Sequence, residues 1–189
     1  RNFFNVLLEL LFLHGTVNAQ INRQLKKIDQ QLANYEITPC RKNIDKLANR
    51  IKPRHRKYHQ FLYQQAQLLQ LEGSYKKAIN TTRKAMPFTP PKEQVSLYIL
   101  QGKLAIDLKL FEKADSFLRQ GLDLHHSFSS TNILEKATLL THLGELMVGL
   151  EHFSTADSLY LMARKNLEKE KLQKSIFYNT TLCLMAESK

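Results

Sequence analysis

Tryptophan is absent from this chain, and only six glycines and five prolines occur among its 189 residues. A chain so poor in turn-formers is a weak candidate for many short strands joined by tight hairpins. Leu, Lys, Gln, Glu and Ala fill the space instead, and these residues favour helix. Cysteine occurs twice, at Cys40 and Cys183, with no CxxC or Cys/His ligand spacing. Also missing are a G-x-S-x-G elbow, a phosphate-cradling glycine loop and an H-E-x-x-H pair. The residues therefore nominate no catalytic group, no cofactor and no metal. His55 and His59 stand four apart, but Arg54, Arg56 and Lys57 surround them with charge that opposes a cation.

Acidic residues are the minority, 17 against 28 Lys and Arg, for a net charge of +11. The excess is uneven: residues 1–60 hold twelve Lys/Arg and four Asp/Glu. Its centre is Arg41, Lys42, Lys46, Arg50, Lys52, Arg54, Arg56 and Lys57. Such a run reads first as a solvated helix face and linker. Its functional alternative is contact with nucleic acid or an acidic partner through residues 41–59. The run is not repeated along the chain, which argues against a one-base-per-repeat reader.

Near the N-terminus, Arg1 precedes an apolar stretch, Phe3 to Leu13, interrupted by Glu9. The stretch is too short for a stable spanning helix. Val17 and Ala19 occupy the −3 and −1 places of a signal-peptidase site, so residues 1–19 read as a signal peptide cut before Gln20. Cleavage would place the protein outside the cytoplasm, in a periplasm; without it the protein would be cytoplasmic.

A short phrase occurs three times: an aromatic residue, an alanine three positions on, and a small residue seven further. The copies are Tyr75, Ala78 and Ala85; Phe111, Ala114 and Gly121; and Phe153, Ala156 and Ala163. Twelve positions before each first alanine stands Ala66, Gly102 or Gly144. Small residues at fixed helical offsets predict stacked helix pairs. Apolar spacing places helices over about 57–71 and 75–86, 93–108 and 111–124, and 133–149 and 153–168. A further helix is expected over 172–187, with Cys183 in its core. Gly73 suits a turn with positive φ, and Thr131 or Asn132 a helix cap. Ahead of these, residues 20–56 read as a divergent leading hairpin, with helices over 21–34 and 40–51 broken at Thr38-Pro39.

On Leu62, Ala66, Leu69, Gly73, Tyr75, Ala78, Ala85 and Pro90 the first unit resembles a tetratricopeptide repeat. The second does so on Tyr98, Gly102, Phe111, Ala114, Leu118 and Gly121. The third does so on Leu140, Leu143, Gly144, Phe153, Ala156, Tyr160 and Ala163. The units span about 57–92, 93–132 and 133–171, with the first helix of another over 172–189. Thr82 departs from the family's aromatic, and spacings of 36 and 42 between successive phrase alanines depart from its unit of about 34. The resemblance implies an all-α, right-handed superhelix of antiparallel helix pairs, an α-solenoid whose ends lie too far apart to join Cys40 to Cys183. Phe111 and Phe153 would plug the turns.

The same resemblance implies a non-enzymatic scaffold that binds a protein or peptide, with another copy of the chain among the candidates. The groove would be lined by the first helix of each unit: Gln60, Tyr63, Gln67 and Gln70; Ser96, Ile99, Lys103 and Ile106; Thr138, Thr141, Glu145 and Val148. The Lys/Asn carboxylate clamp of some relatives is missing. A signal segment ahead of long repeats is similar to bacterial regulators whose exported repeats precede a membrane helix and a cytoplasmic domain. A longer protein continuing beyond Lys189, with a membrane anchor there, is the matching expectation.

Overall fold

The computed structural model describes residues 2–128, 132–169 and 176–187. Among the described residues every regular element is helical. The order is α1 (Asn2–Ala33), α2 (Ile37–Ala48), α3 (Tyr58–Leu71), α4 (Tyr75–Ala85), α5 (Gln94–Asp107), α6 (Phe111–Ser127), α7 (Ile133–Gly149), α8 (Phe153–Lys169) and α9 (Ile176–Glu187). Two 3₁₀ turns, Met86–Phe88 and Pro91–Glu93, lead from α4 to α5. Helices α3, α5 and α7 each pack on the helix that follows, and successive pairs stack. This is the all-α, solenoid-like architecture expected.

Four turns repeat one geometry. Tyr35, Gly73, Lys109 and Glu151 all adopt positive φ, at 56°, 70°, 56° and 61°. Around each, one N–H reaches back five residues and its predecessor three: Glu36 N to Gln31 O and Tyr35 N to Leu32 O, through His152 N to Met147 O and Glu151 N to Val148 O. These bonds satisfy the last carbonyls of α1, α3, α5 and α7 in the Schellman pattern. The leading hairpin thus turns as the later units do. Only Gly73 carries the residue this conformation favours. The left-handed region costs an ordinary residue about 1–2 kcal/mol, partly offset by the stiffer unfolded chain. Glu151→Gly and Lys109→Gly should each raise stability by about 0.5–1 kcal/mol, and Gly73→Ala should lower it by about 1 kcal/mol. Chemical denaturation with constant m-values reads all three.

The small residues of the repeated phrase sit where helices touch. Ala66, Ala78, Ala85, Ala114, Ala156 and Ala163 have no exposed surface. A Cβ on Gly102 would stand 2.6 Å from Leu118 Cγ, and one on Gly144 would stand 2.7 Å from Tyr160 Cδ1. Gly121 faces Leu139 and Tyr98 with equal economy. The glycines let α5–α6 and α7–α8 approach closely enough to seat a large side chain between them.

Several expectations need correction. Helix α1 begins at Asn2 rather than near 21. Its described core residues, Ile21, Leu25, Ile28 and Leu32, all lie within the expected span, whereas residues 15–20 are exposed. Helix α2 starts at Ile37, because Pro39 in a first turn sacrifices no hydrogen bond; the break is made by Tyr35. Helix α6 continues to Ser127. The start expected at 172 lies outside the described residues, and α9 is described from Ile176. Asn132 caps α7, accepting from Glu135 N at 3.3 Å; Thr131 lies outside the described residues. Phe111 covers Gly149 of the next pair, 2.8 Å from where its Cβ would stand. Phe153, at 47% exposed, is not the buried plug expected. Cys183 is exposed rather than in the core, Cys40 is buried, and both are free thiols.

Candidate functional site

Helices α3, α5 and α7 lie side by side, and their common face opens into two adjoining cavities. One, of about 730 Å³, is lined by Asp29, His59, Gln60, Tyr63, Thr89, Lys92, Glu93, Ser96, Leu97, Asn132 and Glu135. The other, of about 490 Å³, is lined by Tyr35, Tyr63, Gln67, Gln70, Ser96, Ile99, Leu100, Lys103, Leu134, Glu135, Thr138 and His142. Tyr63, Ser96 and Glu135 belong to both, so the two form one groove across three units. A smaller hollow of about 430 Å³ extends it toward the end of α1, past Gln67, Gln70 and Leu71.

Eight of the eleven principal residues expected to line the groove do so: Gln60, Tyr63, Gln67, Gln70, Ser96, Ile99, Lys103 and Thr138. Three do not. Thr141 is buried, its hydroxyl hydrogen-bonded at 3.1 Å to that of Thr181 on α9. Ile106 is half-buried against the apolar core between the second and third pairs and lines neither cavity. Glu145 is tied up in ion pairs, 3.6 Å from Lys103 and 2.8 Å from His142. Val148, named beside them, lines neither cavity. The open stripe of α7 is instead Glu135, Thr138 and His142, spaced three and four apart. Asp29, contributed by the leading hairpin, could not be found from the repeat pattern.

The groove floor is polar and tightly bonded. Gln64 is fully buried, and its Nε2 donates to Leu25 O at 3.0 Å and to Asp29 Oδ1 at 2.5 Å. Gln60 reaches the other oxygen of Asp29 at 3.4 Å. His59 Nε2 is hydrogen-bonded to Glu93 Oε2 at 3.0 Å. Burial, then the negative charges of Asp29 and Glu135, push the Tyr63 phenol up to about 12. Burial also raises the Glu135 carboxyl, against lowering by His125, a Ser96 hydrogen bond, Lys92 and Asn132.

A small charge network joins α5 to α7. Lys103 lies 3.0 Å from Asp107 and 3.6 Å from Glu145. Burial alone would raise the Glu145 carboxyl, but His142 and Lys103 reverse this and hold it below its ordinary value. Burial would likewise lower Lys103, and Glu145 and Asp107 raise it instead. A depressed carboxyl stabilises the fold above its ordinary value of 4.5 and loses that contribution as pH falls through the folded value. The raised ammonium stabilises below 10.5 and loses its share as pH rises through its folded value. Glu145→Gln should cost on the order of 1 kcal/mol at pH 7, since Lys103 is about a third exposed. The difference from the parent should shrink as pH falls below 4.5 and be lost once it passes the folded value of the parent carboxyl, where that group is itself protonated. Thermal melts of both proteins across pH 3–8 check this.

The basic residues lie apart from the groove. Lys42, Lys46, Arg50, Lys52, Arg54 and Arg56 are exposed along α2 and the segment that follows. Arg41 pairs with Glu72, and Lys57 donates to Gln60 at 3.1 Å. His55 bonds to Asn18 at 2.8 Å and His59 to Glu93, so the two histidines turn to different partners. Among the described residues no three His, Cys, Asp or Glu are placed to hold a metal. Among them too, no helix is long and apolar enough to cross a membrane.

No protein-family model matches this chain, and no curated protein does. A solved structure, that of BtubC (BKLC) from P. vanneervenii, is similar with a TM-score of 0.56 and 19% identity. The match covers 85% of this chain and 62% of that one, so this chain spans less than two thirds of that protein's length. At this identity the likeness speaks for the fold alone.

Proposed function

We propose that this chain is a non-enzymatic, tetratricopeptide-like scaffold that holds a protein or peptide segment along the face of α3, α5 and α7. The observation that carries this reading is the continuity of the groove: Tyr63, Ser96 and Glu135 each line both cavities. A concave face built from successive repeats suits an extended or helical segment better than a small enclosed substrate. Its amides and hydroxyls, Gln60, Gln67, Gln70, Ser96 and Thr138, can meet main-chain groups, while Ile99 and Leu100 offer apolar anchorage.

The test is selection of peptides by display on the folded protein, followed by anisotropy with the selected sequence. Tyr63→Ala, Gln67→Ala and Lys103→Ala together should weaken binding at least tenfold without loss of helical signal. Undiminished binding by the triple variant would place the contact elsewhere and overturn the groove reading.

A further inference from the structure

The larger cavity has a sign. Three carboxylates, Asp29, Glu93 and Glu135, line it with a single lysine, Lys92, on a chain whose net charge is +11. Glu93 is taken by His59. Asp29 and Glu135 form no ion pair with Lys or Arg among the described residues; Asp29 is held by amides, Gln60 and Gln64. Between the two stands Tyr63. Half-buried, it lines both cavities, and the charges of Asp29 and Glu135 reach its phenol. Beside it, His59 Nδ1 is buried and unpartnered.

These features complement one chemistry. A phenol sharing a cavity with two carboxylates offers acceptors for a donor-rich cation and an aromatic face for its stem. An ammonium or guanidinium on a long apolar arm supplies both. An anionic segment would face three carboxylates against one lysine, Lys92, a repulsion that selects against it. Burial raises the Glu135 carboxyl by disfavouring its charged form, a cost that an arriving cation would relieve. The other lysine of the groove, Lys103, is already neutralised by Asp107 and Glu145, so it does not compete for the site.

We infer that the groove takes a basic peptide segment, one of whose lysine or arginine side chains seats at Tyr63 between Asp29 and Glu135. This rests on the groove reading above and assigns its ligand class. The probes are three fluorescein-labelled nonapeptides of one apolar-polar pattern, bearing lysine, glutamate or glutamine at alternate positions. Spermidine serves as a competitor. The lysine peptide should bind, weakening as salt rises from 50 to 300 mM. Asp29→Asn and Glu135→Gln should each weaken it at least fivefold, and Glu135→Lys should abolish it. The first two preserve the acceptor for Gln64 and the backbone N–H that Asn132 caps, so their melts should match the parent. Preference for the glutamate or glutamine peptide, sensitive to Tyr63→Ala, would overturn the cationic assignment and leave the groove reading standing. Lysine-peptide binding indifferent to Asp29, Glu135 and Tyr63 would overturn both. Spermidine bound as tightly as the peptide would mark a small-polyamine site and also overturn the assignment.

Discussion

Gly144→Val should lower stability by about 3 kcal/mol, and with it the melting temperature by about 6–12 °C. A Cβ at this position would fall within 2.8 Å of three ring carbons of Tyr160. Tyr160 is 1% exposed and flanked by Ala156 and Ala163, neither with any exposed surface. A buried ring has no flexible end to give way, so the helices must part or the ring must leave its rotamer. Removal of glycine from a helix interior returns well under 1 kcal/mol of propensity and does not change the sign. Tyr160→Leu alone should cost about 1–2 kcal/mol as a cavity. The pair Gly144→Val/Tyr160→Leu should then recover at least about 1.5 kcal/mol relative to additivity, because each change makes room for the other. Additive losses would show that α7 and α8 do not meet at these two side chains.

That prediction was open to sequence reading in kind but not in partner. The recurrence of Gly102 and Gly144 announced a close helix contact, and the period of 3.6 set most helix bounds to within a residue or two. The turns show where legibility stopped. Gly73 could be read as a left-handed turn; Tyr35, Lys109 and Glu151 could not, because nothing in an isolated Tyr, Lys or Glu signals positive φ. The long-range hydrogen bonds of the finished helix ends impose it.

The groove was legible to the same degree. Residues on α3 and α5 were placed correctly because their open stripe continues the turn-by-turn pattern of the repeat. On α7 the reading placed Thr138 but took Thr141 and Glu145 where Glu135 and His142 line the opening. The cause is tertiary: α9 covers Thr141 through Thr181, and Lys103 reaches across from α5 to draw Glu145 out of the opening. Asp29, which gives the groove part of its charge, comes from a helix without the repeated phrase. No local rule connects position 29 to positions 63 and 135; only the docking of α1 on α3 does.

The departure at Thr82 leads to the second large effect. Each unit sets a small residue on its first helix sixteen positions before a partner on its second: Gly102 with Leu118, Gly144 with Tyr160, and Ala66 with Thr82. Where Leu118 and Tyr160 fill their interfaces with bulk, Thr82 makes a polar contact with the next unit. Its hydroxyl donates to Ile79 O at 2.7 Å and accepts from Gln101 Nε2 at 3.0 Å. Both residues are buried, Thr82 with no exposed surface and Gln101 with 2%, and Gln101 Oε1 has no partner at all. Thr82→Val keeps the shape and removes the acceptor, so the whole Gln101 amide is left buried and unsatisfied. The expected loss is about 2–3 kcal/mol. Gln101→Leu should be far milder, within about 1 kcal/mol of the parent in either direction, since it removes an amide that is only half paired while Thr82 keeps its bond to Ile79 O. The double variant Thr82→Val/Gln101→Leu should recover most of the loss, because the buried polar groups then disappear together. Urea denaturation of the four proteins gives the coupling directly. A Thr82→Val variant as stable as the parent would mean that the Gln101 amide finds another partner between α4 and α5, and that this bond does not hold the first and second pairs in register.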